Sequence, residues 1–223
     1  MPAGFKLAQD SGTDVTKGIV IEDAEAGDEI SKGNQYVWIP LGNIKYNENE
    51  DIKTINLGRY SFDVRYNDET KQIEGTGNYE IEQLADEYEN TITIEEYYQE
   101  LIDSDYGNET SKNLGDFITK AKNAGGYYIG RYEVGDADAT EIREFSDEIS
   151  HPEATPVVKK GKWPYTWISQ SDASTLAKNM YSENKEFQSD LVNSYSYDTA
   201  IVYIQEFSGD SDYLKQRALQ DTL

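Results

Sequence analysis

Short blocks of apolar residues, broken by polar and turn-forming ones, open the chain. "KGIVIED" (17–23) and "NQYVWIPLG" (34–42) are rich in β-branched and aromatic residues, and the acidic, glycine-bearing "AEAGDEISKG" (24–33) separates them. Such runs predict two strands of a hairpin around a solvated loop. "INLGRYSFDVRY" (55–66) and "KQIEGTG" (71–77), bounded by Asn, Asp and Gly, continue the antiparallel pattern.

From residue 79 the period lengthens. Within 80–104, Thr93 and Glu96 have capping-box spacing, and Ile94, Tyr97, Tyr98 and Leu101 follow at helical intervals. "SKNLGDFITKAKNAGG" (111–126) predicts a second helix, with Ser111 as N-cap, Leu114, Phe117, Ile118 and Ala121 on one face, and Gly125 as the stop. "GGYYIGRYEVGD" (125–136) then begins a strand. Its alternation sets Tyr128, Gly130, Tyr132 and Val134 on one side and Tyr127, Ile129, Arg131, Glu133 and Gly135 on the other. Arg131 and Glu133 are therefore expected to pair along one face, in a strand lying inside a sheet.

Residues 136–166 are polar and turn-rich, the pattern of a surface excursion. "ISQSDASTLAKNMYS" (168–182) predicts a helix capped by Ser169 with Asp172, carrying a stripe of Ala173, Leu176, Ala177, Met180 and Tyr181. Further helices are expected in 194–207 and 211–221. Strands, helices, one strand and then helices make an α+β pattern rather than a repeating βαβ one.

Length allows one sizeable core, so a single domain over 1–223 is expected, with a helical insertion at 65–124. Apolar residues are only 37% of the chain, yet 18 tyrosines and three tryptophans separate it from disordered sequences and predict a small, tyrosine-rich core. The net charge of −23, from 43 acidic against 20 basic residues, repels a phosphate backbone and argues against nucleic acid and anionic membrane as partners. There is no cysteine, which removes disulfides, thiolate metal sites and cysteine nucleophiles together. No apolar run has the length of a membrane span, and residues 1–12 lack the features of a signal peptide. Met1 before Pro-Ala-Gly reads as an initiator placed on an excised mature domain.

Candidate chemistry is sparse. The glycines of 125–136 precede and interrupt a strand instead of opening a helix, which is not the layout of a phosphate loop. Gly-Arg-Tyr occurs twice, at 58–60 and 130–132, and two similar strands account for it. His151 is the sole histidine and lies in a polar loop before Pro152, so neither a metal cluster nor a serine triad has its partners. Carboxylates are abundant enough for hydrolase chemistry, but no pair stands out. Asp136, Asp138 and Glu141 in "DADATE" are the candidate oxygen ligands for calcium, without the glycine and spacing of an EF-hand. "NENED" and "ADEYEN" read as solvated faces. The tyrosines suit a carbohydrate platform or protein contacts, although core filling accounts for most.

Four segments, "NQYVWIPLGNI", "GGYYIGRYEVGD", "TPVVKKGKWPYTWISQSDASTLAKNMY" and "SDLVNSYSYDTAIVYI", together resemble the ordered landmarks of the formylglycine-generating-enzyme-like, or sulfatase-modifying-factor-like, superfamily. The resemblance spans residues 34–204. It implies a variant of the C-type-lectin-like fold, with a small twisted antiparallel sheet flanked by helices, and makes Tyr36, Trp38, Ile129, Tyr132, Trp167 and Tyr197 core framework. The departures are chemical. Oxidising members use a cysteine pair with copper and other relatives use several histidines to hold iron, whereas this chain has no cysteine and one histidine. Residues 193–197 depart from the family's "L-P-T-E-A-E-W" pattern, and its late "G-N-V-W-E-W" and "R-G-G-S" segments are missing. The expectation is the first two-thirds of the fold, with the chain truncated or a partner supplying the closing strands.

The expected function is a noncatalytic extracellular or cell-surface module, structural or adhesive, of a bacterial appendage, pilin-like filament or phage particle. Protein partners or self-assembly are expected, with carbohydrate as a further candidate ligand and calcium as the candidate ion. The alternatives are a divergent enzyme of the formylglycine-generating class, a carboxylate-based hydrolase, and a carbohydrate-binding module.

Overall fold

The computed structural model describes residues 1–23, 33–45, 51–67, 69–81, 109–142, 154–184 and 186–208. In chain order these hold β1 (Phe5–Leu7), β2 (Val20–Asp23), β3 (Gln35–Pro40), β4 (Gly42–Lys45), β5 (Ile52–Ile55), β6 (Tyr60–Phe62), β7 (Arg65–Asn67), β8 (Gln72–Glu74) and β9 (Tyr79–Ile81). Helix α1 (Glu109–Ala124), β10 (Gly126–Gly130), β11 (Gly135–Asp136), β12 (Pro156–Val157), α2 (Gln170–Asn179) and α3 (Ser194–Ser208) follow. The class is mixed α+β with small antiparallel sheets. The chain divides into two compact units, residues 1–38 with 128–192, and residues 39–127 with 193–223.

In the first unit the two apolar runs of the opening third pair as expected. β2 and β3 are antiparallel, with Val20 opposite Val37 and Glu22 opposite Gln35, and β1 lies antiparallel on the other side of β2, Leu7 opposite Ile21. The sheet order is β1-β2-β3-β10. β10 is thus an edge strand rather than an interior one. It also ends at Gly130, so Arg131 and Glu133 do not share a strand face; the Arg131 guanidinium instead grips Asp10 through two bonds of 2.9 and 2.8 Å and donates to Gln35 Oε1 at 2.8 Å.

The segment expected as a polar excursion contributes to the core. Val157 and Val158 are buried, because β12 pairs with β11 and Gln35 N–H donates to the Val158 carbonyl at 2.9 Å. Helix α2 is capped as its sequence predicts: Ser169 Oγ accepts from Asp172 N–H at 3.1 Å and donates to the Asp172 carboxylate at 2.6 Å. Of its stripe, Tyr181 is fully buried and Ala173, Leu176, Ala177 and Met180 are half-buried.

The second unit is built from antiparallel pairs β4–β5, β6–β9 and β7–β8 together with α1 and α3. The region 65–124, expected as a helical insertion, contains β7, β8, β9 and α1 among its described residues. Helix α1 starts at Glu109, so Ser111 lies inside it and is not its N-cap. Gly125 does end it, at φ 72°, in the left-handed region open to glycine. Ile118 and Ala121 are buried, as are Ile39, Ile44 and Ile55 of the same unit. Of the helical region read in 80–104, Glu80 and Ile81 belong instead to β9, paired with β6, and the rest lies outside the described residues, as does the helix read in 211–221.

Helix α3 anchors this unit. Asn193 caps it reciprocally: its Oδ1 accepts from Ser196 N–H at 2.9 Å, and Ser196 Oγ accepts from Asn193 N–H at 3.1 Å. Ala200, Ile201, Val202 and Tyr203 are four consecutive buried residues, the pattern of a helix enclosed on most sides. Its polar residues bind strands and connecting backbone. Thr199 Oγ1 accepts from Gly58 N–H at 3.1 Å, and Asp198 Oδ2 accepts from Arg59 Nε at 2.8 Å and Tyr60 N–H at 3.1 Å. Gln205 Nε2 donates to the Gly77 carbonyl at 2.6 Å, while Glu206 takes Lys53 and the Tyr79 hydroxyl.

Replacing Asp198 with alanine leaves Arg59 and the Tyr60 amide without that acceptor in a largely buried setting. We expect a loss of about 3 kcal/mol in urea unfolding. Arg59→Ala, whose side chain is more exposed than that of Asp198, is expected to lose less; equal losses would contradict this assignment.

Candidate functional site

A group of buried polar side chains lies in the first unit, around Asp23 and Asn34, which are 1% and 0% exposed. Strand alternation puts Asp23 on the same inward side as Ile21. An acid there needs donors, because a buried polar group without them is strongly destabilising. It has four. Asp23 Oδ1 accepts from the Gly33 and Asn34 amides at 2.5 and 2.7 Å, and Oδ2 accepts from Asn34 Nδ2 at 3.1 Å and the Tyr181 hydroxyl at 2.6 Å. Asn34 Oδ1 in turn accepts from Val158 N–H at 2.7 Å. One carboxylate and one amide thereby join β2, the start of β3, the residue after β12 and the end of the α2 region.

Aromatic rings pack beside this group. Phe5, Tyr36, Tyr181 and Phe187 lie with ring centroids 5.4 to 6.1 Å apart, at the tilted and edge-on angles that ring quadrupoles favour. The Tyr36 hydroxyl donates to that of Tyr181 at 3.1 Å, completing a relay from Tyr36 through Tyr181 to Asp23. Burial pushes both phenols well above their ordinary range; for Tyr181, the neighbouring Tyr36 and its hydrogen bond to Asp23 add to the rise. Neither phenol therefore supplies a phenolate near neutrality, and the oxygens of Asp23 are already occupied by donors. The arrangement holds these segments together.

The second unit repeats the chemistry on a smaller scale at Asp198. Near the other end of α3, burial pushes the Glu206 carboxyl up, but hydrogen bonds from Lys53 and Tyr79 outweigh it and leave the group below the ordinary carboxylate range. Tyr127, buried and donating to the Ser196 carbonyl at 2.5 Å, has its phenol pushed far up by burial.

Residues singled out from sequence fare unevenly. Asp136, Asp138 and Glu141 do not gather: Asp136 lies in β11, its Oδ1 accepts from Asp138 N–H at 3.2 Å, and no group of three acidic or histidine side chains suited to a metal occurs among the described residues. His151 lies outside them. Of the expected framework, Trp38 packs on Tyr128 with centroids 4.9 Å apart, and Tyr36, Ile129 and Tyr132 are half-buried. Trp167 and Tyr197 are instead 42% and 40% exposed, so they are not core. Asp23, Asn34 and Asp198 belong to no motif of the sequence, yet all three are buried. The available signal was polarity at positions that periodicity assigns to the interior, as with Asp23 two residues after Ile21.

Comparison of the chain with protein-family models, with curated proteins and with solved structures gives no match.

The raised phenols carry a pH consequence. An unfolded tyrosine releases its proton near its ordinary value of 10.0, whereas Tyr36, Tyr127 and Tyr181 hold theirs to higher pH when folded. Above that value the folded chain binds more protons than the unfolded one, so stability is complete below about pH 10 and falls as pH rises further. Phenolate absorbance is expected to show a fraction of the 18 tyrosines ionising only as near-ultraviolet dichroism is lost. Ionisation of all of them in one step, with the fold intact, would contradict this.

Proposed function

We propose that the chain is a noncatalytic module displayed on an extracellular surface, structural or adhesive in role, built on a variant of the C-type-lectin-like fold. One observation carries the reading. The buried acids Asp23 and Asp198 face backbone amides, an amide side chain, an arginine and a tyrosine from distant parts of the chain, and so serve as joints. Residue supply agrees: without cysteine and with a single histidine, the ligand sets used by the oxidising and iron-dependent relatives cannot be assembled from this chain. The charge of −23 suits a solvated surface module and disfavours polyanionic partners.

Surface display is testable directly. An antibody against the purified chain is expected to label intact cells of the organism that makes it, and added protease is expected to remove the signal without lysis. Labelling only after lysis contradicts the extracellular reading. Elemental analysis of protein purified from that organism provides the second arm, since stoichiometric copper or iron together with substrate turnover would favour the divergent-enzyme alternative.

A further inference from the structure

The residues before Gly12 lie on the first unit as an arm. β1 pairs with β2 so that Phe5 is opposite Asp23, Lys6 opposite Glu22 and Leu7 opposite Ile21. The Phe5 ring is its main anchor, with centroids 5.4 to 6.1 Å from those of Tyr36, Tyr181 and Phe187. Buried Ala8 is the second, and its N–H donates to the Val20 carbonyl at 2.9 Å. The ion pairs of the arm, Lys6 with Glu22 at 3.4 Å and Asp10 with Arg131 at 2.8 Å, are open to solvent and therefore weak.

A connector of different character follows. Residues 12–18 read Gly-Thr-Asp-Val-Thr-Lys-Gly, and three of the five residues between the glycines are β-branched, which suits an extended strand. Here Val15–Lys17 instead form one helical turn, capped by Asp14, that buries no residue, and Val15 is 54% exposed. A Cβ on Gly12 would meet nothing within 4 Å, so the chain has room to swing there. Extended, the connector is self-complementary. Two copies running antiparallel about a twofold axis between Val15 and Thr16 set Asp14 of each opposite the partner's Lys17, and Val15 opposite the partner's Thr16. Such opposite-charge and β-branched pairs stabilise an antiparallel ladder. Within one chain, Asp14 and Lys17 meet only at 3.9 Å, with both side chains mostly in solvent.

We infer that two copies of this chain exchange these arms, β1 of each pairing with β2 of the other while the extended connectors pair along the twofold axis. Exchange keeps every contact that the arm makes in one chain and adds the connector ladder, which is why swapping an identical element is a low-cost route to a dimer. Charge permits it. The side chains of residues 1–11 carry only Lys6 and Asp10, so the arm is neutral in a chain at −23, and seven extended connector residues span roughly 23 Å, which holds the acidic bodies apart. Closing within one chain profits from an effective concentration in the millimolar range, so exchange is expected to rise with protein concentration. The inference goes beyond the surface-module reading and does not need it: labelling of intact cells can fail while exchange holds, and the reverse.

A chain without cysteine makes the test clean. Full-length Lys6→Cys and Glu22→Cys chains, whose altered positions face each other across β1 and β2, are mixed, unfolded, refolded together at about 1 µM and about 1 mM, and treated with a short bismaleimide. Mixed dimers joined through positions 6 and 22, identified by peptide mapping, are expected at the higher concentration only. Lys17→Asp in both chains sets like charges opposite each other in the connector ladder and is expected to lower the mixed product about tenfold. The double variant Lys6→Cys/Glu22→Cys is expected to link within one chain at the lower concentration, which reports the closed arm. Absence of mixed product at about 1 mM, dimers that lack the 6-to-22 link, or a yield indifferent to Lys17→Asp overturns the inference. So does a double variant that fails to link at either concentration, since the arm then does not lie on β2.

Discussion

A carboxylate inside an apolar sheet face dominates the first unit. Asp23 sits where strand alternation calls for a side chain like that of Ile21, and an unpaired acid there would be strongly destabilising. The hairpin answers with two backbone amides on one oxygen, and Asn34 and Tyr181 answer with an amide and a phenol on the other. Because Asn34 then accepts from Val158, the acid near the start of the chain fixes segments more than a hundred residues later. The rings of Phe5, Tyr36, Tyr181 and Phe187 pack alongside, and the lowered local dielectric strengthens each bond.

The second unit uses the same logic with α3 in place of the hairpin. Asp198 and Thr199 hold Gly58, Arg59 and Tyr60 through backbone and guanidinium donors. The two Gly-Arg-Tyr phrases make an instructive contrast. Arg59 meets a nearly buried carboxylate, where removing a partner is strongly felt; Arg131 meets Asp10, whose side chain is mostly in solvent, where screening leaves an ion pair weak however good its geometry. The same tripeptide is structural in one place and peripheral in the other.

Much of the local architecture was legible from periodicity and capping chemistry. The β2–β3 hairpin, the Ser169–Asp172 cap, the Gly125 stop and the helix beginning at Ser194 all follow from spacing within a few residues of one another. Errors arose where distant contacts decide. Val157 and Val158 look like part of a polar loop until β11 and β3 pair with their segment, and Ser111 has the residue type and spacing of a cap although the helix already includes Glu109 and Thr110. The resemblance implies Trp167 and Tyr197 as core framework, yet both are exposed, and size alone does not bury an aromatic ring. Of the candidate chemistry, the acids that matter are single residues at interior positions, Asp23 and Asp198, whereas Asp136, Asp138 and Glu141 form no metal-binding group.

The account depends on the Asp23–Asn34 group being a permanent joint. Amide hydrogen exchange at Asn34 and Val158 measures this directly, since the first donates to Asp23 and the second to Asn34. Exchange of both only through the opening that unfolds the unit, with the same free energy as its most protected core amides, is the result predicted. Exchange of either at the rate of a solvent-exposed loop amide would contradict it.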